Sequence, residues 1–256
     1  MLRLSYEDKD NLESFQRFDI HDWNQLKDRI TYKIVNKKYF HNVYDDENVI
    51  HEDCMDLSKI FMVSEVSHDR EHVNCYLLTK QDLEKFDKNE EEIKECANNN
   101  PYVRRQRRIV DLKRSTIIED MYAPIMFFPE ESLLKTSNNA FIKDSEEDHE
   151  NILIVSNKYN TFGSCYMLDF NTLREIKDRL DSNFYIIPMS IHSFMCVSKN
   201  YLTETNKDVD EIEDDLLDMV YKINTDNKYD EDILSYRIYY YSTEDGESLL
   251  SIKQNL

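Results

Sequence analysis

Glycine occupies only two of 256 positions, Gly163 and Gly246, and this scarcity narrows the folds open to the chain more than any motif does. Glycine enters left-handed backbone conformations at no steric cost and lets a backbone approach a ligand closely. A P-loop or a dinucleotide-binding fingerprint needs several glycines within a few residues. Both are excluded by composition, and no cofactor is expected.

The chain nevertheless carries enough apolar material to fold, since 40% of it is hydrophobic and 17 Tyr and 12 Phe supply large buried areas. No apolar run is long enough to span a membrane, and the charged stretch from Met1 to Asp10 does not read as a signal peptide. A cytoplasmic protein is the expectation. Five scattered cysteines, Cys54, Cys75, Cys96, Cys165 and Cys196, are odd in number and lack the spacing of a disulfide framework, so they read as reduced thiols.

Alternation and helical spacing define an α+β chain. Ile20, Trp23, Leu26, Ile30 and Ile34 recur at steps of three and four, which predicts a helix starting near Asp19 with Trp23 in the core. The apolar runs Lys59 to Val66 and Val73 to Leu78 predict a β-hairpin, and Thr79 is placed to cap a helix bearing Leu83 and Phe86. A further helical segment runs from Glu90 to Ala97.

The same succession returns with Asn151 to Ser156 and Ser164 to Leu168 as strands around a turn, then a helix capped by Asp169 with Leu173, Ile176 and Leu180 on one side. Asn74-Cys75-Tyr76-Leu77-Leu78 and Ser164-Cys165-Tyr166-Met167-Leu168 match locally, which suggests either a degenerate internal duplication of a strand-strand-helix unit or a chance recurrence. Phe184 to Pro188 and Phe194 to Ser198 predict two more strands around a tight connection. Val209, Ile212, Leu216, Val220 and Ile223 form the stripe of a last long helix, and Ile233 to Ser242 predicts a terminal strand. The expected organisation is an N-terminal lobe over 1–142, an acidic loop over 143–150 and a C-terminal lobe over 151–256, with a single compact domain as the alternative.

Several stretches together resemble one family. Leu26-Lys27-Asp28-Arg29-Ile30 with Tyr32 and Asn36 looks like its first helix, and Met55-Asp56-Leu57-Ser58-Lys59-Ile60-Phe61 like the following strand entry. Ile154-Val155-Ser156-Asn157-Lys158 with Gly163 resembles its central hairpin. Tyr185-Ile186-Ile187-Pro188-Met189-Ser190-Ile191-His192 is similar to its most recognisable stretch, and Leu234-Ser235 before Tyr239 and Tyr240 to its closing strand. These anchors resemble an uncharacterised domain-of-unknown-function family, number 5688, of Gram-positive gut bacteria and their mobile elements. The resemblance implies an α+β fold and a mobile-element accessory role, with no activity or cofactor to carry over. The family has Ser after the Pro and Glu after the His of that stretch, where this chain has Met189 and Ser193.

Candidate chemistry is sparse. Ser190 and His192 are a weak catalytic pair, two apart on one side of an extended segment, where a hydroxyl and an imidazole could act as nucleophile and base. Hydrogen bonding that fixes the connection after Pro188 is the competing reading. His68 and His72 are four apart but fall in a predicted turn, which removes the helical logic of a metal pair, and no metal is expected. Arg104, Arg105, Arg107 and Arg108 form one basic patch that could meet phosphate or an acidic partner surface, or neutralise the chain's own acidic helices.

The formal charge of −20 disfavours direct nucleic-acid binding, which depends on concentrated Lys and Arg. It suits a basic protein partner, and it also keeps a protein soluble. Asp208, Asp210, Glu211, Glu213, Asp214, Asp215 and Asp218 crowd the last helix and, joined by the acidic run Asp230, Glu231 and Asp232, could imitate a phosphate backbone. The expected function is therefore a non-catalytic acidic interaction protein that inhibits or modulates a nucleic-acid-binding defence or regulatory protein. A small-molecule hydrolase using Ser190 and His192 is the alternative.

Overall fold

The computed structural model describes residues 3–6, 22–43, 48–66, 72–100, 105–112, 150–205, 207–226, 230–244 and 247–253. Helices and sheets both contribute, the strand pairs being antiparallel except for the parallel pair of Arg3–Tyr6 with His72–Leu77, giving the α+β class. Two compact units part between Arg107 and Arg108. The acidic stretch at 143–149 lies outside the described residues.

The first unit contains β1 (Arg3–Tyr6), α1 (Trp23–Leu26), β2 (Ile30–Asn36), α2 (Lys37–Val43), β3 (His51–Cys54), β4 (Leu57–Val66), β5 (His72–Leu77), α3 (Lys80–Phe86) and α4 (Glu90–Asn99). Its sheet runs β1-β5-β4-β2 with β3 also on β4. The predicted hairpin is β4–β5, antiparallel, with Met62 opposite Leu77 and Val66 opposite Val73. Both following helices begin with reciprocal caps, Thr79 with Asp82 and Asn89 with Glu92, so their first orphan N–H groups are satisfied locally.

The helix expected from Asp19 to Ile34 is corrected. Asp19 and Ile20 lie outside the described residues, Asp22 caps the four-residue α1, and a 3-10 turn at Lys27–Arg29 leads into the strand β2. Every residue from Ile30 to Val35 is buried, and β2 pairs along its length with β4. A strand covered on both faces shows no alternation, and its β-branched Ile30, Thr31, Ile34 and Val35 favour extended backbone. The family's first helix, read onto Leu26 to Asn36, falls with it. Trp23 is not core but half-buried, its ring 5.9 Å from that of Phe86 with Lys88 Nζ 5.2 Å over it.

The second unit contains β6 (Arg107–Asp111), β7 (Ile152–Asn157), a 3-10 helix (Gly163–Leu168), α5 (Phe170–Leu180), β8 (Phe184–Ser190), β9 (Ser193–Ser198), α6 (Lys199–Thr203), α7 (Val209–Asp226), a 3-10 turn (Asp230–Asp232), β10 (Ile238–Glu244) and β11 (Glu247–Lys253). The sheet order is β11-β10-β8-β9-β7-β6. Of the predicted stripe of α7, Ile212, Leu216, Val220 and Ile223 pack on one sheet face against Ile154, Tyr185, Ile187, Met195, Val197 and Ile238, whereas Val209, in the first turn beyond the edge of that core, is 48% exposed. Alternate residues Phe184, Ile186, Phe194, Cys196, Tyr239 and Tyr241 turn to the other face and are also buried. There Phe170 of α5 contacts Tyr241 at a ring separation of 6.5 Å.

Three expectations change in this unit. Ser164–Leu168 is a 3-10 helix rather than a strand, and β7 pairs with β9 instead. The local match to Asn74–Leu78 thus joins a helix to a strand, and an internal duplication is not confirmed. The terminal strand starts at Ile238, not Ile233, and a further strand, β11, follows it. No helix among the described residues is long and apolar enough to cross a membrane.

Candidate functional site

His192 sits at the two-residue turn between β8 and β9, where three segments converge. Its Nδ1 accepts the backbone N–H of Phe162 at 3.2 Å, and its Nε2 lies 3.4 Å from Asp232 Oδ1. The Phe162 donor requires a lone pair on Nδ1, so the neutral ring carries its proton on Nε2, toward the carboxylate. Ser190 Oγ accepts the backbone N–H of His192 at 3.0 Å. Ser156 Oγ donates to the His192 carbonyl, Ser164 Oγ to the Ser190 carbonyl, and the Ile191 N–H to the Asp232 carbonyl.

A histidine acting as base toward a serine needs a free ring nitrogen aimed at the hydroxyl. Here one nitrogen is engaged by a main-chain donor and the other faces Asp232. Ser190 is turned to the backbone of the connection. The orienting carboxylate, Asp232, escapes a reading of the chain because it is 40 positions away and looks like one more member of an acidic run.

Gly163 explains the crowding. A Cβ at this position would lie 2.5 Å from the His192 carbonyl oxygen and 2.6 Å from Ser156 Cα, closer than real contacts allow. The preceding loop is folded on itself by Asn157, whose Oδ1 accepts from the Tyr159 and Thr161 N–H groups.

The second candidate surface is the solvent side of α7. Asp208 caps it by accepting the Glu211 N–H at 2.9 Å. Asp208, Asp210, Glu211, Asp214 and Asp218 are exposed, and Asp215 is paired with Lys207. Glu213 faces inward instead. It is buried, accepts from Tyr185 Oη at 3.1 Å and meets Lys253 Nζ at 3.5 Å. Desolvation, then the Glu213 charge, raises the Tyr185 phenol above its ordinary range.

Beyond Asp218 on the same helix, Tyr221 is 65% exposed, and its ring lies 6.3 Å from that of Tyr236, itself 51% exposed. Neither was singled out by sequence. Tyr221 is separated from the acidic positions by less than a turn of helix, but the sequence pattern puts Tyr236 in a strand, and only its place in the bend before β10 brings the two rings together.

Of the basic patch, Arg104 lies outside the described residues. Arg105 is exposed, whereas Arg107 and Arg108 are half-buried neighbours in β6 and so leave the strand in opposite directions. Of the histidine pair, His68 lies outside the described residues and His72 opens β5. Among the described residues no group of three or more His, Cys, Asp or Glu is placed to hold a metal ion.

Comparison with curated proteins and with solved structures gives no match. The model of a family of unknown function (DUF5688) matches residues 2–243. That span takes in the β4 entry, the Gly163 loop, the β8–β9 turn and α7, and the chain belongs to this family of unknown function.

Proposed function

We propose that the protein is a non-catalytic, acidic interaction protein whose α7 ridge engages a basic protein partner. The carrying observation is the exposed ridge itself. Asp210, Asp214 and Asp218 recur every four residues on solvent-facing positions, about 6 Å apart along the axis, and the exposed Tyr221–Tyr236 pair closes its C-terminal end. Carboxylates in a row attract Lys and Arg from a distance, and a tyrosine face receives a guanidinium at contact. The mobile-element setting implied by the family resemblance directs this reading to a nucleic-acid-binding defence or regulatory protein, which the acidic ridge inhibits or modulates by standing in for phosphate. Direct nucleic-acid binding and a membrane role form no part of it.

The test is affinity purification from the native host at low and moderate salt, comparing the natural chain with Asp210→Lys/Asp214→Lys/Asp218→Lys. A basic partner should be retained by the natural chain, weaken with salt, and fall by about tenfold or more in the variant, since each lost close charge pair removes on the order of 0.5–1 kcal/mol. Unchanged recovery by the variant would exclude α7 as the binding surface. The hydrolase alternative has the His192–Asp232 contact in its favour but needs His192 to leave the Phe162 N–H and turn a ring nitrogen to Ser190; a turnover activity lost in both Ser190→Ala and His192→Ala variants that still fold would support it.

A further inference from the structure

Among the described residues, β11 is paired on one side only, by β10. It is a seven-residue strand, Glu-Ser-Leu-Leu-Ser-Ile-Lys, without Pro and regular in register from Glu247 to Lys253. Natural edge strands are usually blunted by Pro, a bulge or a charge in mid-strand, because their outward N–H and C=O groups form a template for another strand. Here the charges stand only at the two ends.

Side-chain burial points the same way. Tyr239 and Tyr241 of β10 are fully buried, yet Leu250 and Ile252, their cross-strand partners on the same face, are only half-buried, and Leu249 on the other face is 53% exposed. Both apolar layers therefore end unfinished at β11. The opposite edge is different: β6 has five residues, and the Ile109 carbonyl already accepts from the Arg179 guanidinium, which is clamped by Glu150.

We infer that β11 pairs antiparallel with β11 of a second copy of this chain, about a two-fold axis at Leu250. In that register Glu247 lies opposite Lys253 of the other copy and Lys253 opposite its Glu247, so both terminal charges are matched at once. No register shifted by one or two residues brings Glu247 opposite a basic residue. The two Leu249 side chains become diagonal neighbours on one face, and the two Leu250 side chains meet directly on the other. The interface is isologous and closes on itself, as two-fold contacts do. A single strand pair buries less than a standard interface, so the dimer is a weak one.

Sedimentation velocity of the full chain, from micromolar to the highest soluble concentration, should show a reversible monomer–dimer equilibrium. Glu247→Lys sets Lys against Lys at both ends and should raise the dimer Kd by about tenfold. Glu247 is exposed at the first position of the strand, so the same substitution should not lower the thermal midpoint. That separates lost pairing from misfolding. Lys253 also meets the buried Glu213 of its own copy, so Lys253→Glu should lower the thermal midpoint as well as weaken the dimer, and the deciding arm is Glu247→Lys/Lys253→Glu, which keeps that lowered midpoint but should bring the Kd back toward that of the natural chain. A chain that stays monomeric throughout, a dimer indifferent to both single substitutions, or a double variant no tighter than the singles would each overturn the assignment.

Discussion

Among the described residues, five L-residues, Met55, Asp87, Asn160, Phe162 and Asp181, occupy left-handed backbone with φ between 45° and 58°, which is how single residues meet the shortage of glycine. Asp and Asn tolerate this region because their short side chains bond locally, and Asp87 and Asp181 end α3 and α5 where glycine is usual. Met55 and Phe162 have no such help, so nothing in their chemistry announces them, and those two turns were illegible in the sequence. The thiols were more legible: Cys75, Cys165 and Cys196 are buried, and Cys54 and Cys96 are half-buried. Desolvation pushes Cys75 and Cys165 from an ordinary 9.0 up to about 12. Their folded values exceed the unfolded one, so the stability they carry is intact below about pH 9 and is lost progressively as pH rises from 9 to 12, on the order of 1 kcal/mol for each thiol at pH 10. Urea midpoints at pH 8 and pH 10 should show this loss. Mass-spectrometric alkylation of the native protein should label Cys54 and Cys96 while sparing Cys75, Cys165 and Cys196, and equal labelling of all five would contradict the burial.

Elements with one covered face were the legible ones. α7 and α5 bury one stripe each, Ile212, Leu216, Val220 and Ile223 in the first and Leu173, Ile176 and Leu180 in the second, and a one-sided helix writes its period into the sequence. The elements misread were those whose environment erases the period. β2 is covered on both faces, and the 3-10 helix after Gly163 is buried from Gly163 to Met167 because it is wedged beside the β8–β9 turn. Gly163 is the point of closest approach there. Gly163→Ala should therefore cost about 1 to 3 kcal/mol, through a forced shift of either the His192 carbonyl or the Ser156 backbone. The sole tryptophan, Trp23, belongs to the other unit, so the measurement to use is far-UV circular dichroism in urea, with hydrogen exchange at the Phe162 and Ile191 amides. A midpoint equal to that of the natural chain would mean the approach is not required.

For the molecule as a whole, 52 acidic residues stand against 32 basic ones, and the resulting self-repulsion is a cost that salt screens. Raising ionic strength from about 0.01 M to 0.15 M shortens the screening length from about 30 Å to about 8 Å, so the thermal midpoint should rise over that interval; a fall would show that surface ion pairs such as Lys88–Glu92 and Lys94–Glu91 outweigh repulsion. The amino-acid sequence by itself determined the α+β class, the β4–β5 hairpin, the capped helices that follow it, and the amphipathic α7 with its acidic side, because each depends on neighbours within a few residues. Tertiary structure alone decided that β7 joins β9, that Asp232 stands beside His192, that Glu213 turns inward to Tyr185, and that Tyr221 meets Tyr236. Those contacts link positions distant in the chain, and no local pattern encodes which of many carboxylates or tyrosines will arrive. The same holds for glycine: its scarcity argues against Gly-rich phosphate loops in the sequence alone, but only the packing around Gly163 shows where an added Cβ would clash.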